Sequence, residues 1–304
     1  MKKLGLLLVL SLMCLALTIS SFAAVDSYSQ NFESYEAGTE IKDDLLPDWS
    51  LIRATSTGSF IREEGGNKYF AIDAYYHAEY TKKLTEPYVY EVDVYNPDAK
   101  FNVSAFFVRA GSERFDVMFG KSTGYEWDGD GNSGFPSVGG SGLLVLPNNG
   151  NKLSLVVKTY DESKEYKIGN VRYEATVGAD FSKGFETLKF VDDGQTVKVY
   201  ASDELAFIVE MSDAGTYPVG EETYYKKVVV KDKNGTELGT VNNARVSVDS
   251  VLIIGCRESK FNIDNIKIYA LEEPNTETYD AVIFMPVIIS AVYVLAVLKR
   301  RQVA

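Results

Sequence analysis

The sequence predicts an all-β protein, a two-sheet antiparallel sandwich, on three observations. Between residues 25 and 272 no segment carries the apolar period of an amphipathic helix. The same stretch is a series of short runs rich in Val, Ile, Tyr, Phe and Thr, divided by clusters of Gly, Asn and Asp. Two of these clusters, Asp193-Gly194 and Asn234-Gly235, are dipeptides that suit the positive φ of a tight hairpin. So many strands with no helices to cover them must bury their apolar faces sheet against sheet.

The chain opens with the layout of a secretory signal over residues 1–24. Lys2 and Lys3 precede an apolar run from Leu4 to Ile19, and small residues follow up to Ala24. Cys14 follows Met13 inside that run, unlike a lipid-attachment cysteine, and belongs to the discarded peptide. Cys256 is then the sole thiol of the mature chain, so no internal disulfide forms. It closes the apolar run Val251 to Gly255 and reads as a small buried hydrophobe.

Strands are expected over Tyr88–Tyr95, and from Phe101 to Phe107, where apolar residues alternate with Asn102 and Ser104. They are expected again over Leu153–Thr159, Thr187–Val191, Thr196–Ala201, Leu205–Met211, Lys226–Lys231 and Val248–Ile254. There is no fixed-period repeat and no low-complexity linker, so residues 25–272 form one domain. Residues 273–280 are a linker, and residues 281–298 an uncharged apolar run. Roughly eighteen such residues at ~1.5 Å each can just cross a bilayer core. The basic cluster Lys299-Arg300-Arg301 in the closing segment, residues 299–304, holds that end in the cytoplasm. The domain is therefore expected outside the membrane, at a cell surface.

Formal net charge is −12. The two ends hold five basic residues (Lys2, Lys3, Lys299, Arg300, Arg301) and no acids, which leaves the chain between them near −17. Nucleic acid and an anionic membrane face are poor partners for such a domain.

Three segments carry a family resemblance. Phe32-Glu33-Ser34-Tyr35-Glu36-Ala37-Gly38-Thr39, with Trp49 beyond it, resembles the opening strand of concanavalin A-like, laminin-G-like jelly rolls. Gln195 to Asp203 is similar to their Val-x-Val-Tyr hairpin, and Phe261 to Tyr269, with Asp264-Asn265-Ile266, resembles their closing strand. The resemblance implies a jelly roll and carbohydrate as ligand. It also implies a structural calcium joining first and last strands, at Glu33 and Asp264. In the closing strand Phe261 and Ile263 alternate and Ile266 and Ile268 resume one residue out of phase, which predicts a bulge at Asp264-Asn265.

Catalytic material is thin. His77 is the only histidine, and one His with one mature Cys supplies zinc poorly. Glu91 and Asp93 share a strand face about 6–7 Å apart. They match the first half of the Glu-x-Asp-x-x-Glu core of laminarinase-type jelly-roll hydrolases, but Asn96 stands where that resemblance implies the second Glu. The loop Asp128 to Gly134 departs from an EF-hand at Ser133 and Gly139. A ligand site is expected instead on the long glycine-rich loop 124–142. There Tyr125 and Trp127 would stack on sugar faces, and Asp128 and Asp130 would accept from hydroxyls.

Asn275 to Asp280 resembles a sortase sorting signal of the Asn-Pro-x-Thr-Gly-Asp kind found on clostridial surface proteins. Thr278 is the residue that would be joined to the cell wall, and Thr276 and Tyr279 depart from the pattern. The alternative is a plain single-pass anchor, and a Gram-positive source follows from this resemblance alone. The sequence thus points to a non-catalytic, surface-displayed carbohydrate-binding jelly roll. The other readings are an endo-acting glycoside hydrolase using Glu91, or an adhesin without a sugar site.

Overall fold

The computed structural model describes residues 25–41, 46–54, 59–72, 76–98, 104–111, 140–147, 150–163, 167–218, 221–256 and 261–271. The chain divides into two compact units, Met1–Ala270 and Leu271–Ala304; Leu271 is the only described residue of the second. The signal, the apolar C-terminal run and Thr278 lie outside the described residues.

The described chain is all strand and turn. In order the strands are β1 (Tyr28–Gln30), β2 (Trp49–Ala54), β3 (Ser59–Glu64), β4 (Asn67–Ile72), β5 (Tyr76–Tyr80) and β6 (Tyr88–Tyr95). Then come β7 (Ser104–Ala110), β8 (Leu143–Pro147), β9 (Lys152–Tyr160), β10 (Ile168–Thr176), β11 (Glu186–Asp192) and β12 (Thr196–Ala201). The last are β13 (Glu204–Gly215), β14 (Tyr224–Asp232), β15 (Glu237–Val241), β16 (Val246–Ser247), β17 (Val251–Cys256) and β18 (Phe261–Ala270). They form two antiparallel sheets. The larger runs β15-β14-β13-β12-β11-β6-β18-β4-β3, with β1 beside β18 and β16 beside β14; the smaller runs β10-β9-β8-β7-β17-β5-β2. First and last strands pair, Tyr28 opposite Ile268, and the chain repeatedly swaps sheets between them.

Alternation builds the core. Tyr88, Tyr90, Val92 and Val94 of β6 point inward with Leu188 and Phe190 of β11, and meet Phe106, Val108, Leu155 and Ile254 of the facing sheet. Tyr90 stacks on Phe190, its cross-strand partner, at 5.5 Å, while Phe106 and Phe261 meet across the sheets at 5.5 Å. Tyr28, Trp49 and Tyr80 fasten β1 to β2 and β5 at one end of the smaller sheet, with centroids 5.4–6.4 Å apart.

The hairpins form where the sequence signals them. Gly194 and Gly235 take φ of 100° and 82°. Gly142 enters β8 at φ 104°, and a Cβ there would lie 2.9 Å from Ala110 Cα, so glycine alone lets β8 lie against the end of β7. One expectation is corrected. The stretch Phe32 to Thr39 is a run of turns, and the opening strand is the preceding β1. Phe32 ends that strand by adopting φ 60° and burying its ring against Phe70 at 5.8 Å. Its amide is capped by Gln30 Oε1 at 2.8 Å.

A buried ion pair ties the sheets together. Arg109 has φ 55°, at a point where the β7–β17 register shifts. This bulge turns its side chain inward. Its Nε donates to Asp192 Oδ2 at 2.5 Å, one Nη donates to Asp192 Oδ1, and the other to the Val248 carbonyl. Arg109 and Asp192 are 4% and 0% exposed. Burial opposes the guanidinium charge, but Asp192 outweighs it and holds the group more firmly protonated than in water. Ser250 Oγ accepts from the Arg109 amide and lies 2.8 Å from Tyr88 Oη.

Removing one partner strands a buried charge, at a cost of about 3–5 kcal/mol, whereas replacing both costs less. Asp192→Ala is accordingly expected to lose about that much in urea unfolding, with much of the loss recovered in Arg109→Leu/Asp192→Leu. Equal losses in the single and double variants would contradict this account.

Candidate ligand-binding face

The two outer faces differ. On the smaller sheet Phe107, Leu144, Leu146, Val156 and Ile253 face away from the main core, yet they form a second cluster exposed by 2% or less. That face is closed to solvent along these strands. The outer face of the larger sheet is half-buried, polar and aromatic, and the expected residues Glu33, Glu91, Asp93 and Asp264 lie on or beside it.

Three rows of side chains cross this sheet. In the first, Glu91 stands opposite Lys189 on β11 and Lys267 on β18. Tyr269 donates to Glu91 Oε1 at 3.0 Å, and Lys189 Nζ approaches the same oxygen at 3.5 Å while lying 5.8 Å from the Tyr200 ring. Burial first, then the Glu91 carboxylate, pushes the Tyr269 hydroxyl up to about 12, so it stays a donor at neutral pH.

The second row is organised by the bulge in β18. Asn265 takes φ 46° and the register with β6 shifts between Asp264 and Lys267, as the broken phase predicts. The extra residue keeps Ile263 and Ile266 both in the core and brings two carboxylates together. Thr187 Oγ1 donates to Asp93 Oδ1 at 2.6 Å and Asn265 Nδ2 to Asp93 Oδ2 at 2.8 Å. Asn67 Nδ2 donates to Asp264 Oδ2 at 3.0 Å, and the Asn265 amide to Asp264 Oδ1 at 2.7 Å. Burial raises the Asp264 pKa, with Asp93 and Glu33 adding to the rise and the two donors working against it.

Glu33 accepts from the Lys68 amide through Oε1 at 2.9 Å, in the turn that follows β1. A calcium ion needs several free oxygens. Here N–H donors occupy both Asp264 oxygens and one of Glu33, and no group of three or more His, Cys, Asp or Glu is placed for a metal among the described residues. As arranged, those three oxygens already accept N–H bonds that an ion would have to compete with.

The third is a groove spanning two neighbouring rows, Arg62–Tyr69 and Ala71–Asn262–Tyr95. Arg62, Tyr69, Ala71, Ile72, Tyr95, Pro97 and Asn262 line a depression of about 190 Å³. Phe185 stands beside it, edge-on to Tyr69 at 5.3 Å and tilted against Tyr95 at 5.7 Å. Burial, then the Glu64 charge, raises the Tyr69 pKa, against a smaller pull from Arg62. Asn262 is 8% exposed and presents its side-chain amide in the lining. Aromatic walls with an amide and a guanidinium at the rim can hold a ring that is apolar on its faces and hydroxylated at its edge.

Tyr125, Trp127, Asp128 and Asp130 lie outside the described residues, as do the side chains of His77 and Cys256, which fall in β5 and β17. Glu91 and Asp93 do share a face, each engaged as above, while Asn96 is buried and its Nδ2 donates to the Pro147 carbonyl at 3.3 Å. The groove is not foreseen by motif reading. The signal available for it is Gly65-Gly66, whose turn sets Arg62 opposite Tyr69.

No protein-family model matches the chain, and no curated protein matches it. Among solved structures it is similar to the carbohydrate binding module CBM66 from Bacillus subtilis (9% identity, 74% of this chain, 98% of that one, TM-score 0.37). It is also similar to a glycoside hydrolase family 16 endo-glucanase from Bacteroides ovatus (7%, 79% and 99%, TM-score 0.42). A third is the Bacillus licheniformis β-glucanase (12%, 82% and 99%, TM-score 0.38). At these scores the likenesses carry no inference about ligand or chemistry.

Asp264 makes a testable contribution to pH dependence. Its pKa is raised in the fold, so the folded chain binds the proton more tightly than the unfolded chain. Stability from this group therefore falls as pH rises above the unfolded value of about 3.9. The Tm difference, Asp264→Asn minus wild type, is expected to grow in favour of the variant from pH 4 to pH 7. A difference that stays constant over that range contradicts it.

Proposed function

We propose that the chain is a non-catalytic carbohydrate-binding β-sandwich displayed outside the cytoplasmic membrane of a Gram-positive bacterium. The groove between Tyr69, Tyr95 and Asn262 carries this reading. Sugar rings present C–H faces to aromatic walls and hydroxyls to amides, and a depression of about 190 Å³ has room for one ring rather than a long chain. Export and anchoring rest on the two apolar ends of the sequence, as a membrane anchor or as cell-wall attachment through Thr278. Against hydrolysis, Glu91 is held by Tyr269 and Lys189, and Asp93 by Thr187 and Asn265. Neither carboxyl is poised to protonate a leaving group.

Loop residues Tyr125, Trp127, Asp128 and Asp130 belong to the same proposal as a second contact. On a glycan array the purified chain is expected to bind, with signal lowered tenfold or more by Tyr69→Ala and left unchanged by Glu91→Gln. No reducing ends should appear from the bound polysaccharide. Reducing-sugar release that Glu91→Gln abolishes would establish the hydrolase instead, and absence of any glycan binding would favour an adhesin.

Calcium enters the proposal only through a rearrangement in which Asn67 turns its amide oxygen inward, beside Asp264 and Glu33. A chelator is then expected to lower Tm by several degrees in wild type and not in Asp264→Asn. No chelator effect on wild type removes calcium from this reading.

A further inference from the structure

We propose that a second pocket, apart from the groove, takes a sugar bearing a free amine, with the Glu86 carboxylate and the Tyr80 hydroxyl as the groups that read it. The pocket, of about 340 Å³, forms where the segment between β5 and β6 meets the residues that precede β1. The groove lies at the other end of β6, at Tyr95 and Pro97. A strand of eight residues, about 25 Å long, therefore separates two sites that share no residue.

Two observations point to a ligand here. Tyr80 is 1% exposed, and among the described residues its hydroxyl has no hydrogen-bond partner. Burial raises its pKa, so it remains a donor. Of the charges that act on that hydroxyl, Lys82 and Asp26 both line the pocket, which puts the phenolic end of the ring on the pocket side. A buried donor without an acceptor is costly, and a ligand oxygen relieves it. The second observation is Glu86, a half-buried lining residue that makes no ion pair or hydrogen bond among the described residues. Its neighbours are matched. Lys82 Nζ lies 3.2 Å from Asp48 and 3.6 Å from Asp26, and Lys83 Nζ 3.0 Å from Asp249. With Glu86 that makes four carboxylates against two ammonium groups, so the pocket stays anionic with both lysines engaged.

This chemistry selects a cation that also carries hydroxyls. A primary ammonium donates charge-assisted hydrogen bonds to the Glu86 carboxylate, which a hydroxyl or an N-acetyl group cannot replace. The charge of about −17 between the basic ends draws cations at long range. Leu84, 5% exposed, and the partly buried Val25 offer apolar surface to the C–H face of a ring, while Tyr80 donates to a ring oxygen. Lys82 is the side chain that gives way above Tyr80, since its partners are exposed carboxylates and such pairs are worth little in water.

The test is titration calorimetry of the full-length chain in detergent with glucosamine, N-acetylglucosamine, glucose and methylammonium. It is run at about pH 6, where the amines are protonated and Glu86 is ionised, at low and at moderate salt. Wild type is expected to bind glucosamine about tenfold more tightly than the other three, with the gap closing as salt rises. Glu86→Gln is expected to erase that preference. Tyr80→Phe is expected to weaken glucosamine binding without lowering Tm, because the hydroxyl it removes has no partner to lose. Equal wild-type affinity for glucosamine and the two neutral sugars overturns the recognition of an amine, and equal affinity for methylammonium overturns the recognition of a sugar. A preference kept by Glu86→Gln but lost in Tyr69→Ala puts the binding in the groove and overturns the second site. Absence of heat with all four compounds overturns the inference, whereas the carbohydrate reading of the groove is decided by the glycan array.

Discussion

The pairing of Arg109 with Asp192 is the directional link between the two sheets of this sandwich. With Cys256 the one cysteine between residues 25 and 272, no disulfide within that stretch links the layers, so registry across the core must come from packing and from directional bonds. Apolar contact between Phe106, Val108, Phe190 and Val92 supplies most of the burial but tolerates sliding. A bidentate ion pair does not, because a shift of an ångström leaves charge without a partner in a low-dielectric interior. Asp192 also accepts from the Gly194 amide, which couples the pair to the turn between β11 and β12. The same aspartate therefore fixes one sheet's hairpin and the other sheet's bulge.

Bulges set the face as well as the core. Arg109 and Asn265 both take positive φ without being glycine, and each re-aims a polar side chain that strict alternation would place elsewhere. At Asn265 the consequence is outward. The bulge lets Ile263, Ile266 and Ile268 all stay buried, while Asp264 and Asn265 join Asp93, Thr187 and Asn67 in one hydrogen-bonded set across four strands. That set stiffens β18 where Asn262, two residues earlier, lines the groove. A ligand side chain on such a strand is held in place before anything binds, which lowers the ordering cost of recognition.

Much of the fold is legible in the sequence because sandwich strands obey a period of two. The Tyr88–Tyr95 alternation, the Asn-Gly and Asp-Gly hairpins and the phase break at Asp264-Asn265 each mark a feature found in the structure. Phe32 is misread because its pattern looks like strand, whereas the backbone is set by the ring's place against Phe70 and by the Gln30 cap, both tertiary facts. The Arg109–Asp192 pair is invisible for the same reason, since 83 residues separate the partners and a bulge, not the period, turns Arg109 inward. Site reading fares worse. Acidic pairs such as Glu91 and Asp93 attract notice in a sequence, but their chemistry depends on what Tyr269, Lys189 and Thr187 do to them.

Charge and exposure together locate recognition on the larger sheet. The smaller sheet's outer face is apolar and closed over Phe107, Leu144, Leu146, Val156 and Ile253, so no solvated ligand meets those side chains as the protein stands. The larger sheet leaves its outer rows half-open, and two of the three are already internally satisfied: Glu91 by Tyr269 and Lys189, Asp93 and Asp264 by amides and a hydroxyl. A satisfied row gains little from a ligand, because each new bond must replace an existing one. The groove of Arg62, Tyr69, Asn262 and Tyr95, which spans two neighbouring rows, differs in kind. Its aromatic edges hold apolar surface that water solvates poorly, and Asn262 places a side-chain amide in the lining. A ligand bearing C–H faces covers that apolar surface while its polar edge meets the amide, and that is the physical reason to place binding there.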